Sequence, residues 1–471
     1  MFLFDKVGAT ISEGISLVRD REIRLGVTGL SRGGKTALIT SLVNNISAFG
    51  LKGYEDRMPR FPEYAARGIS YGGIAKSRDF SVTSFPYGSI MKTLEQDPPE
   101  WPESTDGISE IRLEIRYRNS RWYLMGDEDR IFLDIWDYPG EWLMDLMLLD
   151  MEYEDFSEKC RERLRVLDGV VSGKEFADRA AKLDWQGAVN DDDLHEAVTA
   201  YTSWLRKCKD QGFALLIPGR FLLPGELKGA PALEFIPCPD PEAGKNAGSS
   251  SLYAVLRERY NYYRDRIVRG FYRECFSRLD RQIVLVDCLK ALRGGRETFY
   301  DINDAFDTLL SHFSYGSSGF LSRLFSPRID RVLFAASKAD HITNDQHQNL
   351  LSLLRSMVLG AMQNVRSAGA KAEFVTLSAI RATECRHYKK GHIDSEVLVT
   401  GYPDDKPFYP GSIPSKWSRE DMEFFQKNFA FRDKCDKCDK RPLRPPRLGA
   451  DRIIPSMNLD VVLHYILGDK L

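Results

Sequence analysis

The 471-residue sequence has no apolar run near the length of about 18 residues that a membrane span needs. Its eight cysteines (Cys160, Cys208, Cys238, Cys275, Cys288, Cys385, Cys435 and Cys438) are too scattered for the stapled framework of a small secreted domain, so a reducing, cytoplasmic compartment is expected. No secretory signal is expected either, because Met1 to Asp20 lacks a basic stretch followed by an unbroken apolar one. Charge of one sign is also missing. With 66 Lys+Arg against 68 Asp+Glu the net charge is -2, which argues against a nucleic-acid partner and leaves any anionic membrane contact to local patches. No internal repeat is evident. What the chain does have is bulk: at 43% hydrophobic it can bury real cores, and its length suggests roughly two to three domain-sized units.

The strongest local signal follows the strand-like run Ile23 to Thr28. Gly29-Leu30-Ser31-Arg32-Gly33-Gly34-Lys35-Thr36 is a complete G-x-x-x-x-G-K-T, and Ala37, Leu38, Ile39, Leu42 and Val43 continue it at helical spacing. Strand, glycine loop and helix are therefore in the register that lets backbone N–H groups curl round phosphate oxygens at the positive end of a helix. Phosphate contacts are expected from Gly29, Ser31, Arg32, Gly33, Gly34, Lys35, Thr36 and Ala37. Lys35 would reach the β- and γ-phosphates, and the Thr36 hydroxyl would face Mg²⁺.

A buried strand, Ile131 to Trp136, ends in Asp137-Tyr138-Pro139-Gly140, a D-x-x-G in which the Asp holds a magnesium water and the glycine N–H senses the γ-phosphate. Alone it reads as a turn; after a phosphate loop it reads as a second nucleotide element. The strand Val332 to Ala336 ends in Ser337-Lys338-Ala339-Asp340, and the strand Ala372 to Leu377 runs into Ser378-Ala379-Ile380. These resemble the N/T-K-x-D and S-A base-recognition elements of GTPases. A carboxylate at Asp340 can accept from guanine N1–H and its 2-amino group, whereas adenine presents neither donor. Lys338 is expected to lay its methylenes along the base with its ammonium near the phosphate loop. Ser337 stands where Asn is commoner, removing an amide that ties the base loop to the phosphate loop.

Thr105, in Ser104-Thr105-Asp106-Gly107-Ile108-Ser109-Glu110, resembles the T-x-G-I-x-E of heterotrimeric Gα switch I and is the expected γ-phosphate and magnesium sensor, with Thr83 as runner-up. Where Gα carries an arginine three residues earlier, this chain has Pro102. Arg60, Arg67 and Arg78, in the long preceding loop, are the remaining in-cis candidates. Glu141 follows the D-x-x-G where Ras-like proteins often have the Gln that orients the attacking water; a carboxylate can accept from water but repels the γ-phosphate, so hydrolysis is expected to be slow. The catalytic set is thus Lys35, Thr105, Gly140 and Glu141, and the metal set Thr36, Thr105 and Asp137.

Between Gly140 and Ser337 lie 196 residues, far more than a helix, a strand and a helix require. Helical patterns through this stretch, before the strand Gln282 to Asp287, place a mainly helical insertion between two parts of one nucleotide-binding domain: 1–143, 144–281 and 282–471. Further excursions precede the Thr105 strand and span Arg381 to Pro455; their Pro, Gly and charge content suggests ordered excursions or flexible loops without cores of their own. The fold class expected is α/β, a P-loop NTPase with a Ras-like G domain and a mainly helical insertion.

Across its whole length the sequence resembles the YcjX family of bacterial P-loop proteins, historically described as predicted ATPases and associated with stress responses. The phrases G-L-S-R-G-G-K-T, L-D-I-W-D-Y-P-G-E-W and S-K-A-D-H carry the match. The resemblance implies a Ras-like GTP-binding domain with helical additions, and bacterial cytoplasmic residence with peripheral association at the inner membrane. Two functional classes compete: a regulatory GTPase that binds GTP/GDP and a protein effector, and an ATP-driven remodelling enzyme, which would not need Asp340. Cys435-x-x-Cys438, with Cys385 and His387 as conceivable companions, lacks the second pair that a zinc site needs. Lys434, Lys437, Lys440, Arg441, Arg444 and Arg447 read as a solvated basic loop.

Overall fold

A computed structural model describes residues 21–29, 33–103, 107–118, 128–244, 247–311, 329–367, 369–390, 393–414 and 443–471. Its centre is one sheet built from β1 (Arg21–Gly29), β2 (Tyr71–Ile74), β3 (Thr83–Ser84), β4 (Ser109–Arg118), β5 (Glu128–Asp137), β6 (Arg281–Val286), β7 (Arg331–Ala336) and β8 (Lys371–Thr376), in the order β2-β4-β5-β1-β6-β7-β8 with β3 beside β4. The five strands from β5 to β8 are mutually parallel; β4 lies antiparallel on β5 and β2 antiparallel on β4. The chain is thus an α/β protein with a largely parallel sheet.

Both faces of this sheet are covered, which is why β6 and β7 carry continuous apolar runs. Alternate residues divide between the two sides. Ile283 and Leu285 of β6 and Leu333 and Ala335 of β7 join Leu25 and Val27 in a core under α1 (Lys35–Ser47). The last helix of the chain, Leu459–Leu467, packs into the same layer through Val462, Leu463 and Ile466. Val284 and Val286, with Val332, Phe334 and Ala336, point the other way into a second, larger core.

Helices and loops from Gly140 to Arg278 fill most of that second core. A 3₁₀ run, Gly140–Asp150, leads into α2 (Tyr153–Leu167), α3 (Lys174–Ala180) and α4 (Asp191–Gln211). A short turn, α5 (Gly219–Leu222), precedes α6 (Leu252–Tyr262), which continues through a π turn, Tyr263–Val268, into α7 (Arg269–Glu274). Asn190 caps α4 by accepting from the amides of Asp192 and Asp193, and Asp191 to Asp193 place negative charge on the positive end of that helix. The helical path starts at Gly140, and Arg281 already belongs to β6. No helix among the described residues is long and apolar enough to cross a membrane.

Two ordered strand elements lie within the excursions. β2 joins the sheet although its sequence, Tyr-Gly-Gly-Ile, has two glycines in four residues and little strand propensity; its pairing with β4 comes from tertiary context. Within 381–455, β9 (Thr383–Lys390) and β10 (Ile393–Thr400) form an antiparallel hairpin outside the main sheet. β9, rich in charged and polar residues, shows little apolar alternation, and the hairpin's buried apolar side chains, Val397 and Leu398, are adjacent in β10.

Candidate functional site

In a parallel sheet the chain leaves every strand at the same edge, and here the order reverses at β1, whose neighbours β5 and β6 come from different stretches of sequence. Ligands bind in the crevice at such a reversal. Gly29, Asp137, Asp287, Ser337 and Ser378 therefore collect along one edge. Gly33 and Gly34 precede α1, with Gly34 left-handed at φ 92, and Thr36 and Ala37 lie in the first turn. Lys35 donates from Nζ to the Gly29 carbonyl at 3.2 Å. Burial pushes the Lys35 ammonium down most strongly, the carboxylates of Asp137 and Glu141 oppose this, and the Lys209 ammonium adds to the depression.

The D-Y-P-G turn is pressed against this loop. A Cβ on Gly140 would stand 1.9 Å from the Gly29 carbonyl oxygen and 3.1 Å from Lys35 Nζ, so only glycine fits there. Tyr138, wholly buried, shares a 2.7 Å hydrogen bond with Thr28 Oγ1, which also accepts from Gln282 Nε2 at 2.6 Å. This polar network joins β1, the turn and β6 under the loop. Asp137 is 1% exposed at the end of β5. A hydroxyl at Thr36 and a carboxylate at Asp137 are hard oxygen donors of the kind Mg²⁺ takes; no group of three or more His, Cys, Asp or Glu suited to a metal occurs among the described residues, so phosphate oxygens and water would complete such a shell.

Just past the end of β7, Asp340 is 3% exposed and its Oδ2 accepts from the Ala382 amide at 2.8 Å. The Ala339 amide donates to the Leu377 carbonyl, tying the Ser337–Asp340 turn to the Ser378–Ile380 loop. Ser378 donates from Oγ to the Ile380 carbonyl at 3.2 Å, and Ala379 is partly buried against the first core. The buried Ser337 hydroxyl has no hydrogen-bond partner among the described residues. Lys338 is left-handed at φ 59, and its Nζ lies 2.7 Å from Asp287 Oδ2. Burial pushes the Asp287 carboxyl up, but Lys338 and the Lys290 amide outweigh it and hold it below its usual range.

The segment after Gly140 is gripped by the helical region. Lys209, in the last turn of α4, places Nζ 2.8 Å from Glu141 Oε1. Burial favours the neutral Glu141 acid, yet the Lys209 and Lys35 ammoniums hold the carboxyl below its usual range. A Cβ on Gly219 would lie 2.0 Å from the Glu141 carbonyl oxygen, so α5 meets this segment backbone to backbone. Trp142 donates from Nε1 to the Leu223 carbonyl at 2.8 Å and carries the Arg220 guanidinium 3.5 Å over its ring. Asp145 accepts from Gly219 N at 2.6 Å, Arg220 N at 3.3 Å and Tyr263 Oη at 2.6 Å. Tyr263 opens the π turn, which aims it inward.

Burial pushes the Asp145 acid up to about 6 despite these three donors. Its folded-state value lies above the unfolded one of about 4, so the folded chain holds a proton that the unfolded chain releases, and this group's contribution to stability falls as pH rises between those values. Two pKa units correspond to about 3 kcal/mol. Denaturant melts of wild type and Asp145→Asn at pH 4.5 and pH 7.5 are therefore expected to move in favour of the variant at the higher pH; a pH-independent difference would refute the assignment.

Several expected residues fall elsewhere. Leu30, Ser31 and Arg32, Thr105 with its neighbours Ser104 and Asp106, and Cys435, Cys438, Lys434, Lys437, Lys440 and Arg441 lie outside the described residues. Thr83 pairs with Ser109, which pairs with Asp137, so two strand spacings of about 4.8 Å separate the runner-up from the D-x-x-G. Arg60 binds Asp460 at 3.0 Å, and Arg78 pairs with Glu22 near the start of β1, at the opposite edge from the phosphate loop. The Arg67 carbonyl accepts from Arg118 N at the far end of β4, about 30 Å from Ser109 at a strand's rise per residue. Arg444 lies 3.6 Å over the Tyr402 ring, and Arg447 pairs with Asp97 at 3.0 Å. Besides Lys35, the cation that stands beside Glu141 is Lys209, which no sequence motif marks: it is one charged residue in a helix whose polar face carries many.

The family profile described as "YcjX-like family, DUF463" matches residues 23–471. The chain is 37% identical over 486 aligned positions to "Ras-like GTPase YcjX" of Escherichia coli (strain K12), covering 100% of this chain and 99% of that protein. It is 36% identical over 473 positions to the protein of the same name from Shewanella oneidensis, covering 96% and 95% respectively.

Proposed function

Because the chain belongs to the YcjX-like family, we propose that it is a guanine-nucleotide-binding P-loop protein with a Ras-like G domain, which hydrolyses GTP slowly with Mg²⁺ and acts as a conformational switch. The names of the two relatives, Ras-like GTPase, support the guanine nucleotide and the reaction. A parallel sheet with its glycine-loop strand central and an antiparallel strand beyond β5 supports the Ras-like reading. The observation that carries it is Asp340: a buried carboxylate, oriented by the Ala382 amide, on the same sheet edge as Lys35. Thr36 and Asp137 would hold Mg²⁺, which would neutralise charge developing on the phosphates. Lys35 and the phosphate-loop amides would bind the triphosphate, and the Gly140 amide would sense its last phosphate.

The switch has an internal reader. Leu143, Met144, Leu146, Met147, Leu148 and Leu149 are all at most 5% exposed, sealed into the core shared with the helices. A shift of the Gly140 amide on GTP binding would therefore move groups packed against α4 and α5 before reaching any outside protein. A protein effector, in this reading, recognises the helical region in its altered packing. The division at 144 and 281 assigns that region as the output half and the flanking parts as the nucleotide half.

Equilibrium titration with fluorescent GDP, GTP and ATP analogues tests the assignment. Guanine nucleotides are expected to bind at least about 100-fold more tightly than adenine ones, as a site built round guanine's donors requires. Unassisted turnover is expected to stay below about 1 s⁻¹. Equal affinity for ATP and GTP would favour the ATP-driven remodelling enzyme instead.

A further inference from the structure

The cleft lined by Gly140, Glu141, Lys209, Asp287 and Lys290 contains a cation that the phosphate-binding motifs do not account for. Glu141 follows Gly140 directly, and its side chain is only 10% exposed. With GTP bound as proposed above, an isolated carboxylate here would repel the last phosphate and weaken triphosphate binding. Lys209 removes that penalty. Its ammonium sits 2.8 Å from Glu141 Oε1, its side chain is 24% exposed, and it comes from a helix that stops at once: Gly212, left-handed at φ 103, donates to the Lys209 carbonyl at 3.0 Å. A helix end fixed by its own cap holds the lysine stem, so the ion pair is built into the fold and does not depend on a loose surface side chain.

We propose that Lys209 is a positioning residue for GTP hydrolysis: held by the helical region, it cancels the Glu141 charge and locks that carboxylate so that its other oxygen accepts a hydrogen bond from the attacking water. The inference rests on the GTPase reading and adds a group that the glycine-loop and base motifs do not contain. In the step itself, the water oxygen forms a bond to the γ-phosphorus while the bond from that phosphorus to the β,γ-bridging oxygen breaks. The electron pair leaves with GDP, and a water proton ends on an oxygen of the inorganic phosphate. Glu141 remains a carboxylate throughout, in keeping with the two ammoniums that hold its acid form down. Lys209 acts through Glu141 and not on the phosphate, which separates it from a finger that contacts the transferring group.

The experiment is a double-mutant cycle on the full chain with Lys209→Met, Lys209→Arg, Glu141→Gln and the Glu141→Gln/Lys209→Met pair. Single-turnover GTP hydrolysis and affinities for GDP and a non-hydrolysable GTP analogue are read for each, with melting temperature as the check on folding. Lys209→Met is expected to slow hydrolysis by about 10- to 100-fold and to weaken the analogue by about tenfold, with GDP affinity within about twofold, because only the triphosphate meets the uncompensated charge. Lys209→Arg should restore most of both. In the Glu141→Gln background, where no charge needs cancelling, Lys209→Met should change hydrolysis by less than about threefold; that pair leaves no buried lone charge, so it also stands if Lys209→Met alone folds poorly. An equal loss in both backgrounds, or an unchanged ratio of analogue to GDP affinity, overturns the proposal. A wild-type chain that hydrolyses GTP while Lys209→Met is silent removes Lys209 alone, whereas a wild-type chain with no preference for guanine removes the GTPase reading beneath it.

Discussion

Asp340→Asn is expected to lower GDP and GTP affinity by about 10³-fold or more while raising affinity for the xanthine nucleotides. The size follows from the geometry. Oδ2 of Asp340 already accepts from the Ala382 amide, so an asparagine must turn its own oxygen to that donor. Its NH₂ then faces the ligand, where guanine N1–H and 2-NH₂ also donate, and two buried donors are left without acceptors. Xanthine carries an oxygen at position 2 and accepts the new donor. Competition of XDP against fluorescent GDP on both proteins reads this directly, with melting temperature to confirm that the Ala382 contact survives. Unchanged preference for guanine would mean that the base is bound away from this turn.

Gly140→Ala carries the second large effect. The added Cβ would overlap the Gly29 carbonyl oxygen at 1.9 Å and crowd its carbon at 3.0 Å, and both are backbone atoms that cannot rotate aside. The turn must retreat from the phosphate loop by an ångström or so, a displacement that costs on the order of 10²-fold in rate when it separates reacting groups. GTP hydrolysis should fall by at least that factor, and the preference for a non-hydrolysable GTP analogue over GDP should vanish because the sensing amide has moved. GDP affinity should change least, since in the proposed reading the glycine loop would grip the β-phosphate. Hydrolysis within threefold of wild type would show that the turn does not report on the last phosphate.

The fold was legible where one signal occupied one stretch of chain. β6 and β7 hold short apolar runs because both faces of a parallel sheet are covered there, and β1, β5, β7 and β8 are recognisable because a sequence motif follows each at its carboxyl end. That placement alone brings Gly29, Asp137, Ser337 and Ser378 to one edge. What depended on distant partners could not be read. β2 pairs despite its glycines because β4 offers an edge, and the β9–β10 hairpin buries only a few side chains, Thr383, Val397 and Leu398 among them, which do not make an alternating apolar pattern. Lys338 turns to Asp287 because β6 and β7 are adjacent and parallel, which sets their two end turns side by side. Lys209 reaches Glu141 only because α4 packs on α5 and α5 on the Gly140–Asp150 run, and Asp145 finds its donors only because Gly219 lets two backbones touch.

The helices between Gly140 and Arg278 share one apolar core with Val284, Val286, Phe334 and Ala336 of the sheet. A shortened chain in which a flexible tether replaced those helices would open that core to water wherever they fill it, although the helix His347–Met357 would still cover β7 and β8. Such a minimal nucleotide-binding fragment should precipitate instead of behaving as a smaller version of the whole. What looks from the sequence like an added passenger is half of the roof under which the phosphate loop is built.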